Sequence, residues 1–526
     1  MPCLDPDVLY AVVREVASFR NSTSLQALRN LALTCSTLRN VCFPVLFAEV
    51  HWPHANKNDE ESGLLFFPDS LWPHVKHFRL AWPDHWADAS PPQWGDKYYI
   101  GGDYNPRHMD KLVGALPQMK ALTSFHISCP FFPPISLFAA LIQSSVIELS
   151  INDTPLYVYM IPKIPLEFNL ERLAIVPVAE ALRVGEGPYD TKYHEPAYYV
   201  REYRKKYKND ILARLATNDM LFKVGKADAL REVQVSGDLC TLDELAEHHW
   251  PNLDRLILTG HPPRLQSACE LIDVLAKMPK LKDLRILFAK TRGDAGFRLI
   301  PRTPGADCSV LSQLASLALS NACILDGVLT HTTSLERLAL VAIIDHPWVP
   351  IGFGRGEIDK VLLDLSASAQ HLRQLRIMLE DKVNPELCHS ISAHCPFLEV
   401  LEIELCGYHD GKSVFAWDEF AESLRTLPYI HSLRLCIQFP EFDEADRCEP
   451  WRVARKECAI FLAARVPTLR RVGFEYRKRT GTHRYEDSWL EYDVERKGGG
   501  GEIELFELVP TWYPFPEVWN PVSIVV

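Results

Sequence analysis

The stretch WPNLDRLIL, Trp250 to Leu258, returns as MPKLKDLRI (Met278 to Ile286), CPFLEVLEI (Cys395 to Ile403), LPYIHSLRL (Leu427 to Leu435) and VPTLRRVGF (Val466 to Phe474). WPHVKHFRL, Trp72 to Leu80, is a sixth copy. With the last apolar residue counted as zero, each copy has apolar residues at −5, −2 and 0 and a proline at −7. Seven weaker blocks keep the apolar triplet without the phased proline; they end at Ile127, Ile151, Ile175, Val235, Leu319, Leu340 and Ile377, which makes thirteen units. Successive end points lie 21 to 60 residues apart. A basic step in the twenties with insertions is the period of a stacked repeat.

The −2 and 0 residues alternate as on a strand with one buried face, and the proline is expected to end a preceding helix and turn the chain towards that strand. One repeat then reads helix, turn, strand. Helix starts are marked by Thr241 with Glu244 and Ser267 with Glu270 at capping-box spacing, and by Asn384 ahead of Pro385. A single unit cannot bury its apolar face, but stacked neighbours share a continuous core. The competing reading is an ordinary α/β domain with coincidental LxxLxL strings. The block resembles the leucine-rich repeat over roughly residues 71–476, although no regular Asn or Cys follows the strands. The resemblance implies an α/β solenoid with parallel strands on a concave face and helices outside. Strand positions −3 and −1, such as Arg255 with Ile257 and Asp283 with Arg285, would then face a bound protein, and Glu402 and Glu404 would be solvated acids.

Residues 1–50 read as a separate all-α unit ahead of a linker over 51–70. Val8, Leu9, Val12, Val13 and Val16 fall at helical spacing, with Asp5 as a cap and Pro6 in the first turn. After the polar break RNSTS, Leu28, Leu31, Ala32 and Cys35 line one face; Leu38, Cys42, Pro44, Leu46 and Phe47 continue as shorter apolar turns. So small a core needs a partner or a docking surface. The opening Leu-x-Pro-acid-Val-Leu, the Leu28 and Leu31 helix and LTCSTLRNVCFPVLFAEV resemble the F-box. The Trp usual shortly after the Cys is missing, Thr37 and Leu38 standing there. The resemblance implies a helical hook that binds the Skp-type adaptor of a cullin-RING ubiquitin ligase, with Leu4, Pro6, Val8, Leu9, Val12, Leu31, Cys35 and Leu38 facing the adaptor. An N-terminal helical cap for the solenoid would explain the same apolar pattern.

The 526 residues carry 56 basic and 68 acidic side chains, a net charge of −12 that argues against nucleic acid as the main partner. No apolar run reaches the roughly 18 residues of a membrane span, the start lacks the features of a secretory leader, and the 14 cysteines form no CxxC pair. These features predict a cytoplasmic or nuclear protein with reduced thiols. Insertions fall near 82–107, rich in Trp, Tyr and Pro, and near 177–229, where the basic aromatic run 198–208 reads as a solvated helix face. His346 to Glu357, with GxGxG, reads as a flexible loop. WLEYDVER (Trp489 to Arg496), four glycines and EIELFELV (Glu502 to Val509) read as a hairpin closing the sheet edge within 477–526. No catalytic motif emerges, and neither metal nor cofactor is expected; Cys388, His389, His394 and Cys395 read as core thiols and solvent histidines. The expectation is a non-catalytic substrate-recognition subunit of an SCF-type ubiquitin ligase whose protein target the sequence does not name. A leucine-rich-repeat scaffold outside any ligase is the alternative.

Overall fold

The computed structural model describes residues 6–18, 22–52, 66–81, 106–129, 133–152, 154, 156, 168–176, 211–224, 226–237, 239–263, 268–290, 296–301, 307–325, 327–343, 352–365, 370–380, 384–405, 417–436, 448–479, 485–497 and 502–508. The chain forms two compact units, one of residues 1–179 and 199–235, the other of 180–198 and 236–526.

The first unit opens with three helices, α1 (Pro6–Ser18), α2 (Ser22–Thr34) and α3 (Ser36–Leu46). They enclose Val13, Leu28, Ala32 and Cys42, against which Val16, Leu31, Val41, Phe43 and Leu46 pack. The segment read as short apolar turns is one continuous helix with Pro44 inside it. A strand outside the thirteen blocks, β1 (Glu49–Trp52), follows. It starts a parallel ladder with β2 (His77–Ala81), β3 (Ser124–Ser128), β4 (Glu148–Asn152), β5 (Arg172–Val176) and β6 (Glu232–Ser236), each strand beside the next in sequence. On the other side, α4 (Pro106–Ala115) buries Met109 and Leu112, and α5 (Ile135–Ile142) buries Leu137, Phe138 and Leu141. Phe78 and Phe125 stack at 5.3 Å between matching positions of β2 and β3.

The second unit repeats the plan with β7 (Arg255–Thr259), β8 (Asp283–Ile286), β10 (Ser316–Ser320), β12 (Arg337–Val341), β13 (Gln374–Leu379), β14 (Val400–Leu405), β15 (Ser432–Cys436) and β16 (Arg471–Arg479), all parallel. The short β9 (Phe297–Arg298) and β11 (Cys323–Ile324) pair apart from this ladder. β17 (Tyr485–Lys497) then runs antiparallel along β16, and β18 (Glu502–Glu507) antiparallel along β17. Arg496 of β17 donates to the carbonyls of Ala463, Val466 and Leu469 at 3.0, 3.3 and 2.7 Å, supplying donors to the end of the helix Cys448–Arg465 and the turn after it.

Every block found in the sequence forms a strand, and the −5, −2 and 0 residues of each are buried, from Val75, Phe78 and Leu80 to Leu469, Val472 and Phe474. The phased proline stands just past the end of the preceding helix in several copies, as Pro396 does after Pro385–His394, and it also shapes the turn that follows. In each of the six strong copies the −5 N–H donates to the −8 carbonyl, as in Leu281 to Met278 at 3.1 Å and Leu469 to Val466 at 3.1 Å. That places the proline at the second position of a β-turn, where its fixed φ suits the turn. Leu122 and Leu314 close the same turn on Met119 and Leu311 without proline, so the ring favours the bend without being required.

The helical half of the repeat varies with the room available. The 21-residue step from Leu319 to Leu340 holds only the turn Val328–His331, whereas the longer step to Ile377 accommodates the helix Arg355–Asp364. Thr241 and Glu244 form their reciprocal cap, and Asn384 accepts from the Leu387 N–H at 3.0 Å. The expected Ser267–Glu270 box is displaced: the helix starts at Leu271, and the Glu270 N–H donates to Asp273 at 2.9 Å. The end of the GxGxG segment is also not a free loop. Phe353 is buried and bridges Leu379, and a side chain on Gly352 would meet the Glu380 nitrogen at 2.3 Å. Leu4, Asp5, Ser267, the run 198–208 and most of 82–107 lie outside the described residues.

Candidate functional site

Three surfaces follow from these elements. On the helical module, Val8 and Val12 are 49% and 51% exposed and lie four residues apart, hence on one side of α1. Tyr10 is also exposed, with Arg14 stacked 5.7 Å over its ring, and Leu33 on α2 is 76% exposed. Cys35 is exposed in the extended residue joining α2 to α3. Leu9, Leu31 and Leu38 are half-buried, Leu31 against the module core. Pro6 begins α1, and its side chain lies outside the described set. So Val8, Val12 and Cys35 offer surface, while Leu9, Leu31 and Leu38 divide theirs between surface and interior. Tyr10 and Leu33 escaped the sequence reading because the motif carried over from the family skips both positions.

The second surface is the strand face of the second unit, and here the expectation of solvated charges fails. The register aligns Ile257, Arg285, Ala318, Ala339, Arg376, Glu402, Arg434, Gly473 and Glu491 across the strands. The side chains of Arg376 and Glu402 are each 4% exposed, with Arg376 Nε 2.9 Å from Glu402 Oε1. Arg376 also pairs with Glu404. Arg434 Nη1 lies 3.4 Å from Glu402, and its Nε donates to Glu491 at 3.0 Å. Gly473 stands between Arg434 and Glu491, and a Cβ there would press on both, 3.2 and 3.1 Å from their Cγ atoms. The missing side chain is what lets the two reach each other.

Asp283 likewise takes Arg255 at 2.9 Å and Arg285 at 2.8 Å, and Arg285, Asp283 and Ile257 are buried, not presented to a partner. Burial pushes the Glu402 carboxyl up, but Arg376 and Arg434 more than reverse this and hold it below the usual carboxylate range. Asp283 is held low by Arg285 and Arg255 against the same effect of burial. Single-sequence reading misses this because the period-2 pattern shows only which residues face away from the helices. It does not show whether opposite charges meet across strands 26 to 57 residues apart.

The third surface is the strand face of the first unit, which alternates more openly: β3 and β4 bury every second residue, and their remaining side chains are half-buried. His77, Arg79 and Arg172 are exposed. Arg172 pairs with Glu148 at 2.7 Å and reaches Glu232 at 3.8 Å.

Cys388 and Cys395 are fully buried, their thiols pushed up by burial to about 12. His389 is exposed and meets Ser423 Oγ at 3.2 Å. No group of three or more metal-ligating side chains occurs among the described residues.

No protein-family model and no curated protein matches the chain. Among solved structures, Rad7 in a yeast Rad7–Elc1 complex is similar at 13% identity and a TM-score of 0.36, over 84% of this chain and 91% of that one. A TLR13–ssRNA13 complex is similar at 13% identity and a TM-score of 0.27, over 68% of this chain and 39% of that one.

Proposed function

We propose that the chain is the substrate-recognition subunit of a cullin-RING ubiquitin ligase. The helical module holds a Skp-type adaptor and the repeat units hold the target protein. The supporting observation is the apolar surface of the module: Val8, Tyr10, Val12 and Leu33 are all exposed around a core of four buried residues. A module this small gains stability from a partner that covers such residues. The mechanism is tethering. Adaptor and target held by one chain keep a target lysine at high effective concentration near the conjugating enzyme, and bond chemistry stays with the partner subunits. This work would be done in the cytoplasm or nucleus.

One observation favours the second reading, a scaffold with a helical cap: β1 pairs directly with β2, so α3 leads straight into the ladder. Co-precipitation with a purified Skp-type adaptor bound to its cullin separates the two. The wild-type chain is expected to retain adaptor and cullin, and Val8→Glu with Val12→Glu to lose both. These positions test the surface more cleanly than Leu9 or Leu31, whose loss would also disturb the interior. Absence of wild-type binding, or undiminished binding by the folded double variant, supports the cap.

A further inference from the structure

The strand face of the first unit carries a charge pattern that adaptor binding does not use. His51, Arg79 and His126 lie side by side in register on β1, β2 and β3. The row continues through Ser150, Ala174 and Gln234, so none of its six positions is acidic. Arg79 is exposed and has no ion pair among the described residues. His126 Nε2 is shielded from solvent and lacks a hydrogen-bond partner among the described residues. A buried ring nitrogen without a partner is costly, and an arriving acceptor oxygen would remove that cost. Burial, then Arg79 and His51, push the His126 imidazole down to about 4; no anion offsets them. The neighbouring row differs. It runs Glu49, His77, Ser124, Glu148, Arg172 and Glu232, so it places acids on β1, β4 and β6, with Arg172 between the last two.

We propose that this face holds an acidic, extended segment of the bound protein, with a carboxylate seated between Arg79 and His126. The inference rests on the substrate-recognition reading and supplies its substrate class. The ladder presents aligned positions about 4.8 Å apart, which suits a chain laid across several strands. Glu49, Glu148 and Glu232 repel carboxylates along the neighbouring row, which confines the acidic part to the row of Arg79 and His126. Nucleic acid fits less well, because a phosphate backbone needs a longer cationic track than one arginine and its histidine neighbours.

The test uses the full chain bound to its adaptor and a fluorescent peptide of alternating glutamate and glycine, followed by anisotropy. Binding is expected to weaken at least about tenfold with glutamine in place of glutamate, and by a similar factor in Arg79→Glu. His126→Phe, which removes the ring nitrogens, is expected to weaken it too. Lys111→Glu makes the same charge change on exposed α4 and should leave binding as it was. Equal binding of the glutamine peptide, indifference to Arg79→Glu, or displacement by single-stranded DNA of equal length at lower concentration overturns the proposal. Adaptor retention is read in the same samples: its loss counts against the ligase reading alone, and peptide binding without it still supports the carboxylate site.

Discussion

Glu402 sits between two arginines at matching positions of neighbouring strands, almost out of reach of water. Such a pairing is weak evidence of net stabilisation, because desolvation offsets most of the attraction; removal of one partner, however, strands the others. Glu402→Gln is therefore expected to lower the unfolding free energy by about 3–5 kcal/mol, read from urea titrations at neutral pH. The folded carboxyl ionises below its unfolded value of about 4.3, so its contribution is present above that pH and fades as the pH falls through the folded value. The wild-type chain should thus lose stability on acidification more steeply than Glu402→Gln. Equal acid sensitivity would show that the charge of Glu402 does not hold the row.

The elements divide into those that packing specifies and those that context specifies. In α1 to α3, Leu28 is fully buried whereas Val8 and Val12 are half in solvent. Leu28→Ala should cost about 2–5 kcal/mol, while Val8→Glu with Val12→Glu should stay within about 1 kcal/mol, both by thermal unfolding. If the valine pair proves as damaging as Leu28→Ala, those residues are interior and not surface. The strands were legible because the −5, −2 and 0 residues all enter one core, so burial writes itself into the sequence at fixed phase. β1 keeps the same spacing, with Phe47, Val50 and Trp52 at −5, −2 and 0, but directly after α3 it reads as the tail of the helical module. Helix starts were legible where the cap is local, as at Thr241 and Asn384, and displaced where an acidic neighbour caps better, as at Glu270. The ionic row and the Arg79–His126 position were not legible, because both depend on which strands become neighbours.

Across the whole molecule, two faces of one chemistry are used differently. The second unit buries its strand face around paired charges and small residues such as Ala318 and Ala339, and β17 occupies the edge of β16 with β18 beyond it. The first unit leaves polar side chains of its strands accessible and carries exposed valines on its helices. On the proposed function, recognition then falls mainly to the first unit, while the second acts mainly as framework. Hydrogen–deuterium exchange of the full chain, alone and with a purified Skp-type adaptor, tests this assignment most directly. The account predicts slower exchange in α1 and around Cys35 to Leu38 with the adaptor, and unchanged exchange in β7 to β16. Unaltered exchange in α1, or protection confined to the strands of the second unit, would contradict it.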